Sequence, residues 1–286
     1  MDTDALHAFV AIAQQQSFSL AAESLHLTQP AVSKRLATLE QQLNTRLFDR
    51  VGRSITLTEA GRELLPRAQA ILAATDDAVR AINDLSGQVR GELKLTTSHH
   101  MGLHHLPKVL RRYSDHYPNV KLTLEFEDSE KALEQVLSGE VELAALTLAR
   151  QSHPKLVEAV AWADPLQVVV ASDHPLAAIK NPSLESLSHY AAILPETNTF
   201  TTQLVSDVFK QRGLTLELRM ATNYLETIKT LVSIGLGWGV LPHTLIADSN
   251  LSTVDLPDLP IIRRLGLIHH KDRSLSNASK AFLDLF

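Results

Sequence analysis

Four of the thirteen histidines of this chain fall within seven residues, in the stretch HHMGLHH at residues 99–105. If the stretch is helical, His100 and His104 lie four residues apart on one face, a spacing that can bring two imidazoles to one metal ion. Two histidines are too few for a complete site, so carboxylates would have to supply the remaining ligands. The nearby candidates are Glu127, Asp128 and Glu130.

Two other interpretations of the histidine stretch compete with the metal site. His99 and His100 follow a predicted strand and begin a predicted helix, where free backbone N–H groups and an imidazole that titrates near neutral pH suit an anion. Alternatively, His104 and His105 are surface residues or satisfied core residues with no special role. Which of the three interpretations applies depends on where the predicted strands and helices place the histidine stretch.

The composition limits the classes of protein to consider. A chain of 286 residues, 44% of them hydrophobic, is long enough for two or three compact units. The absence of cysteine excludes disulfides, thiolate metal sites and cysteine nucleophiles. No signal-like or membrane-spanning run is seen, so we expect a soluble cytoplasmic protein without a membrane partner.

Charge is distributed unevenly along the chain. Between residues 29 and 53 there are five basic and two acidic side chains, whereas from residue 91 onward acidic side chains are in excess, within a net charge of −5. A small basic module attached to a larger acidic body is typical of a protein whose N-terminal part binds nucleic acid.

The first 57 residues predict three helices and a hairpin. Apolar spacing favours an amphipathic helix within 5–15, a short helix after Ser19, and a third helix that Thr28 caps and that begins at Gln29-Pro30. The third helix should bury one apolar face: Val32, Leu36, Leu39 and Leu43. Two helices joined by a three-residue turn match a helix-turn-helix, although three ordinary surface helices would show the same spacing.

The polar side of the third helix carries the groups that DNA contact requires. Gln29 and Lys34 can reach acceptors on base edges, and Ser33 can bind phosphate. Two short strands around a glycine-containing turn follow at 47–57, and this wing would present Arg50 and Arg53 to the DNA backbone or minor groove.

A long helical pattern runs from the N-cap Thr58 to Leu85. Its apolar and small residues alternate spacings of four and three, the period of a coiled-coil seam: Leu64, Ala68, Ile71, Thr75, Ala78, Ile82 and Leu85. Pro66 should remove one backbone hydrogen bond near the helix start. The seam packs either on the same chain or on a second copy, and Ser86-Gly87 should end it.

From Gly91 onward, apolar strands alternate with helices and predict an α/β fold with a mostly parallel sheet. The pattern forms two halves between which the chain crosses twice. Such halves enclose a cleft where strand ends and helix N-termini converge, and this geometry suits small anions.

These features resemble a known family. The segment 17–66 contains S-x-x-x-A-A, Q-P-A-x-S, L-E-x-x-L, L-F-x-R and L-T-x-A-G in the order and spacing of the DNA-binding domain of LysR-type transcriptional regulators. The C-terminal part is similar to their effector domain, with G-E-L at Gly91, Y-P-x-V at Tyr117 and L-V-x-x-G-L-G-x-G-V-L-P from Leu231. The resemblance covers nearly the whole chain and is looser in the second part.

The resemblance implies a winged helix-turn-helix at 1–57, a linker and dimerisation helix at 58–87, and an effector domain at 91–286 that resembles two-lobed periplasmic binding proteins. Lobe I would comprise about 91–163 and 267–286, and lobe II about 164–266. The candidate DNA-binding residues are Ser19, Gln29, Pro30, Ser33, Lys34, Arg50 and Arg53. The expected partners are operator DNA, a small-molecule effector of anionic character, a second or further copy of the chain, and RNA polymerase.

In that family, the segment carrying the histidine stretch lines the effector cleft. The candidate effector residues are Ser98, His99, His100, Ser129, Thr147, Thr199, Thr202, Asn223 and Tyr224, although hydroxyl residues such as Ser98 and Ser129 are also common helix caps. Trp238 replaces a usual aliphatic residue and either narrows the cleft or, as we favour, packs beneath it.

We therefore expect a transcriptional regulator without enzymatic activity, cofactor or metal. One rival is a metal-dependent enzyme or metal sensor that uses the 99–105 cluster, which the absence of HExxH, P-loop and GxSxG motifs disfavours. The other is an architectural DNA-binding protein whose C-terminal domain binds no ligand.

Overall fold

The computed structural model of the protein describes residues 2–51, 54–85, 87–247, 250–256 and 261–286. The chain divides into two compact units. Residues 1–88, with 138–140 assigned to them, form the N-terminal unit, and residues 89–137 and 141–286 form the C-terminal unit.

The described residues of the N-terminal unit form four helices and one hairpin. In chain order these are α1 (Thr3–Gln15), α2 (Phe18–Ser24), α3 (Gln29–Leu43), β1 (Phe48–Val51), β2 (Ser54–Leu57) and α4 (Glu59–Asp84). Helix α2 begins one residue before Ser19, because the hydroxyl of Ser17 accepts a hydrogen bond from Leu20 N at 3.3 Å and caps the helix. Ser19 itself is exposed in the first turn rather than preceding the helix.

A single core holds the first three helices together. Leu6, Phe9 and Ile12 of α1 pack in one cluster with the predicted apolar face of α3, of which Val32, Leu36 and Leu39 are buried and Leu43 is partly buried. The expected helix-turn-helix is therefore confirmed. His26 adopts a left-handed backbone conformation between α2 and α3 (φ 54°), which turns the chain into the second helix.

Helix α4 is continuous through Pro66, and Thr58 caps it as predicted. Its apolar seam has two parts. Leu64 and Ala68 pack into the core of the N-terminal unit, whereas Ile71, Ile82 and Leu85 are 39%, 69% and 80% exposed. None of the helices in the described part of the chain is both long enough and apolar enough to span a membrane.

The C-terminal unit alternates strands and helices. Its first half contains β3 (Gly91–Thr97), α5 (Pro107–His116), β4 (Val120–Phe126), α6 (Ser129–Ser138), β5 (Leu143–Thr147) and β6 (Leu156–Ala171). Then follow α7 (Leu184–Ser188), β7 (Ala192–Leu194), α8 (Phe200–Gln211), β8 (Leu218–Ala221), α9 (Leu225–Ser233), β9 (Gly239–Pro242), α10 (His243–Ile246), β10 (Leu251–Val254), β11 (Ile261–His270) and α11 (Asn277–Leu283).

The prediction of a mostly parallel sheet is wrong. Strand β3 pairs in parallel with β4 and β5, but β6 and β11 are long antiparallel partners, and β9 and β10 also pair with β6 in antiparallel fashion. The sheet is mixed because β6 and β11 are the two strands that connect the lobes. The chain passes along them in opposite directions, so they pair in antiparallel fashion within one seven-stranded sheet of the described residues.

Two lobes form around these crossing strands, as expected. Lobe I has cores built from β3, β5, α5, α6 and α11, and lobe II has cores built from β6, β7, β9, α8 and α9. The segments that leave β3, β5 and β7 reach the region between the lobes, so the fold brings together residues that are distant in sequence.

Candidate DNA-binding surface and effector cleft

Helix α3 presents the predicted polar residues to the outside of the N-terminal unit. Gln29, Pro30 and Lys34 are exposed, and Ser33 is half-buried. The amide of Gln29 donates to Ser33 Oγ at 3.2 Å, which orients both side chains along one helix face. Arg35 is different because it pairs with Asp4 at 2.6 Å, so its charge stabilises the contact between α1 and α3.

The wing is a two-stranded antiparallel hairpin in the register Phe48↔Leu57 to Val51↔Ser54. Its base is fixed by Thr58, whose N–H donates to Leu47 O at 3.0 Å and whose hydroxyl donates to Arg46 O at 2.8 Å. Arg50 lies in β1, opposite Ile55. The predicted contact residue Arg53 lies outside the described residues.

In the C-terminal unit, a cavity of about 190 Å³ lies between the two lobes. Eight of the nine predicted effector residues line it: Ser98, His99, His100, Ser129, Thr147, Thr199, Asn223 and Tyr224. They come from the end of β3, the starts of α6 and α8, the end of β5 and the turn before α9. The alternating α/β pattern predicted this convergence, because strand ends on one side of a sheet meet at one cleft.

Thr202 is the exception among the predicted effector residues. It does not line the cavity, and it is only 3% exposed. Its hydroxyl donates to Pro195 O at 2.7 Å, while its N–H donates to Thr199 Oγ1 at 3.3 Å. Thr202 therefore fixes the start of α8, and the residues of this helix that line the cavity are its neighbours Phe200 and Thr201.

The histidine stretch forms one turn of π-helix, Met101–His105, and α5 follows it directly. Gly102 lets the ring of Phe126 approach closely, because a Cβ at this position would lie 2.4 Å from that ring and the ring would have to move. His99 contacts the ring of Tyr224 edge-on at a centroid distance of 5.1 Å. His104 Nε2 lies 2.9 Å from Glu226 Oε1. Both of these contacts bridge the two lobes.

His100 and His105 point inward from the same turn. Their Nε2 atoms are 3.3 Å apart, and the ring of His105 lies against Trp162 at 5.6 Å. Burial, with the nearby charge of Arg263, lowers the pKa of His100 to about 2. The expectation of a charge that is tunable near neutral pH is therefore wrong for His100, because a neutral imidazole is far cheaper to bury than a charged one.

A metal-ligand arrangement exists in this region, but it differs from the one predicted. His100, His105 and Asp164 have ligand atoms within 4.8 Å of one another, whereas His104 is turned towards Glu226. Asp164 Oδ2 accepts a hydrogen bond from Arg263 Nε at 2.6 Å. Since the carboxylate is already paired with a buried cation, a divalent ion at this point would meet the guanidinium charge, and the geometry fits a metal poorly.

Arg263 is a residue of the cavity that the sequence did not indicate. It lies in β11 directly opposite Asp164 in β6, and its side chain is 4% exposed. In the sequence, Arg263 looks like an ordinary outward-facing arginine, because it lies in a stretch where polar and apolar residues alternate. Only the tertiary structure reveals that it is buried.

Several further contacts join the lobes around the cavity. Asn223 Nδ2 donates to Asp128 Oδ2 at 2.8 Å, and the N–H of Phe200 donates to Glu130 Oε1 at 2.6 Å. Burial raises the pKa of Glu130, whereas the hydrogen bond from Phe200 opposes this. These two hydrogen bonds, with the contacts of His99 and His104, hold the two walls of the cleft together.

Trp238 packs beneath the cleft, as favoured from the sequence. It is fully buried, it stacks on Phe209 at a centroid distance of 5.7 Å, and its Nε1 donates to Tyr190 O at 2.8 Å. Its role is therefore to support lobe II rather than to line the cavity.

Comparisons with known proteins match both units. A sequence profile described as the LysR substrate binding domain matches residues 86–286, and a profile described as a bacterial regulatory helix-turn-helix protein of the lysR family matches residues 3–62. The RuBisCO operon transcriptional regulator of Allochromatium vinosum is 31% identical over 282 residues, which cover 97% of this chain and 92% of that protein. An uncharacterized HTH-type transcriptional regulator in the ibpB-leuC intergenic region of Azotobacter vinelandii is 64% identical over 107 residues, covering 37% of this chain and 74% of that protein.

Solved structures share the fold at low sequence identity. A full-length OxyR from Pseudomonas aeruginosa has a TM-score of 0.71 at 22% identity and covers 100% of this chain and 94% of its own. Full-length CbnR complexed with its target DNA has a TM-score of 0.63 at 19% identity and covers 100% of this chain and 98% of its own. The two profiles and the full-length relative together show that this chain belongs to the LysR family of transcriptional regulators.

Proposed function

We propose that this regulator binds its operator through α3 and the β1–β2 wing, and that a small molecule in the cavity between the lobes controls the bound state. The main support for this proposal is the cavity between the lobes. Residues from both lobes line it, and direct polar contacts across the cleft hold the lobes together.

The DNA contacts are proposed from the exposed face of α3. Gln29 and Lys34 would meet base edges or phosphates in the major groove, and Ser33 and Pro30 at the start of the helix would fix its approach. Ser19, exposed at the start of α2, would contact the backbone, and Arg50 and Arg53 would act from the wing. CbnR, which shares this fold, has been solved in complex with its target DNA, which supports DNA binding by this chain.

The effector contacts are proposed from the polar atoms around the cavity. Ser98, His99, His100, Ser129, Thr147, Thr199, Asn223 and Tyr224 would give a ligand its hydrogen bonds and aromatic contact, while Thr202 would act only by shaping α8. A ligand changes transcription only if it binds two arrangements of the protein with different affinity. Opening and closing of the cleft supplies two such arrangements.

Self-association is proposed to use α4. The exposed side chains of Ile71, Ile82 and Leu85 continue the seam beyond the part that packs on its own unit, and a second copy of the helix would cover them.

We propose the domain division 1–57, 58–87 and 91–286. We also propose a dimer or tetramer that acts in the cytoplasm, and a contact of the DNA-bound form with RNA polymerase.

The experiment that tests this function is a footprint on the DNA upstream of the chain's own gene, repeated with small-molecule extracts of the producing cell. We expect a protected region whose extent changes with one extract fraction. His100→Ala should keep the protected region and lose the change. A protein that gives no protected region, or one that no fraction alters, would contradict the proposal.

A further inference from the structure

A second cavity of about 130 Å³ lies beside β11 and is different from the effector cavity, the cavity of about 190 Å³ in the cleft. Leu148 and Arg150, which follow β5, line this second cavity from lobe I. Leu204 and Asp207 of α8 line it from lobe II, and β11 contributes Ile262. None of the predicted effector residues lines it, so the second cavity is a site that the proposed function does not use.

The walls of the second cavity are largely apolar. Leu148 is buried in a core of lobe I, Leu204 packs on a core of lobe II, and Phe200 is half-buried. Ile262 is 51% exposed, whereas the other apolar residues of β11 are buried. An apolar cavity of about 150 Å³ can bind benzene or xenon, so the second cavity has room for one small ring.

The charged groups at the second cavity are already compensated. Each charged side chain that lines it forms an ion pair: Arg150 with Asp207, Arg263 with Asp164, and Arg264 with Glu158. The amide of Gln203, which also lines the cavity, donates to Asn198 O at 3.1 Å. An ionised ligand would lose its hydration here without gaining an unpaired opposite charge, so the walls favour an uncharged molecule.

From these walls and paired charges we propose that the second cavity binds a small uncharged apolar molecule, of the size of one aromatic ring, and that this ligand regulates the arrangement of the lobes. The binding itself does not depend on the function proposed above, whereas its effect on operator binding rests on that function.

Helix α8 connects the two cavities. Its first residues, Phe200 and Thr201, line the effector cavity, and Leu204 and Asp207, about one turn further along, line the second cavity. A ligand in the second cavity contacts both α8 and the segment after β5, so its affinity depends on the distance between the lobes. A ligand whose affinity differs between two arrangements of a protein also shifts the balance between them.

Fluorobenzene is a suitable probe, because it is uncharged and its binding to the full chain can be titrated by fluorine NMR. We expect it to bind at millimolar concentration. The analogue para-fluorobenzylammonium carries a charge on the same ring and should not displace it, even if the cation binds among the acidic residues of the effector cavity. The operator footprint of the parent protein should change when fluorobenzene is added.

Two variants assign the binding to the second cavity. Ile262→Asn should weaken fluorobenzene binding about tenfold or more, because the amide in the wall would lose its water without a partner. Ile179→Asn is the matched control, since Ile179 is 50% exposed and lines neither cavity, and it should bind fluorobenzene like the parent protein. Operator binding without ligand shows that both variants are folded.

Three results would overturn the second site. They are no binding of fluorobenzene, displacement of fluorobenzene by the charged analogue, and equal binding to Ile262→Asn and the parent protein. If fluorobenzene binds as expected but leaves the operator footprint unchanged, the regulatory part of the proposal is wrong. If the parent protein does not bind its operator, the proposed function fails, while fluorobenzene binding in the same samples still supports the site.

Discussion

Replacement of Ile82 by aspartate tests whether α4 is the dimerisation helix. The side chain of Ile82 is 69% exposed in the single chain, so a partner helix has most of its surface left to bury. Full burial of such a side chain contributes about 1.5–3 kcal/mol, so the exposed part contributes about 1–2 kcal/mol, and the two symmetric copies about 2–4 kcal/mol. Ile82→Asp removes this contribution and places an unpaired carboxylate in the contact.

The expected result is a dimer dissociation constant weakened roughly 30-fold to 1000-fold, measured by analytical ultracentrifugation over a concentration series. Ile71 is a less suitable target, because it is only 39% exposed and its replacement would also disturb its own unit. Ala70→Asp introduces the same charge on an exposed position outside the seam and should leave association unchanged. If Ile82→Asp sediments like the parent protein and Ala70→Asp does too, the association uses another surface.

Three further predictions concern DNA binding, ligand response and pH. Lys34→Ala should weaken operator binding by about 1–3 kcal/mol if the lysine contacts a base. If it contacts a phosphate, the variant should lower the slope of log K against log salt concentration by about one. Both quantities are measured by fluorescence anisotropy, and no change in either would exclude α3 as the recognition helix. His100→Ala should abolish the ligand response in a reporter assay and leave ligand-free operator binding intact. His104→Ala should retain the response and lose only the contact with Glu226. The reverse pattern would show that His104 senses the ligand and that His100 is structural. Burial lowers the pKa of His100 to about 2 in the folded protein, whereas the pKa in the unfolded chain is near 6.5. The neutral imidazole therefore contributes its full share to the free energy of unfolding above about pH 6.5. As the pH falls below that value, the free energy of unfolding decreases by up to about 1.4 kcal/mol per pH unit. Urea unfolding of the parent and His100→Gln between pH 7 and 4 measures this loss, and equal pH slopes would show that His100 is not buried as a neutral ring.

The sequence predicted most of the elements because their signals are local. The caps Thr28 and Thr58 and the spacing of four and three in α3 depend only on neighbouring residues, and the structure places both helices there. The alternating order of strands and helices predicted a cleft, whereas the eight residues that line it were named from the resemblance to the LysR effector domain.

The features that sequence reasoning missed depend on long-range packing. Strand β6 begins at Leu156, and none of its first eight residues is buried, so no buried apolar run marks this part of the sequence as a strand. Its pairing with β11 defines the antiparallel sheet, yet β11 lies about a hundred residues away. The inward direction of Arg263 follows from this pairing, and no local pattern contains it.

Because the chain contains no cysteine, control of the DNA-bound state by the cleft between the lobes can be measured directly. Asn223 Nδ2 and Asp128 Oδ2 meet across the cleft at 2.8 Å, so a short reducible cross-linker between the two thiols can hold the double variant Asp128→Cys/Asn223→Cys closed. The measurement is the operator footprint of this variant, cross-linked and then reduced. We predict that cross-linking changes the extent of protection and that reduction restores it. Identical footprints in the two states, with the cross-link shown to be formed, would contradict control by the cleft.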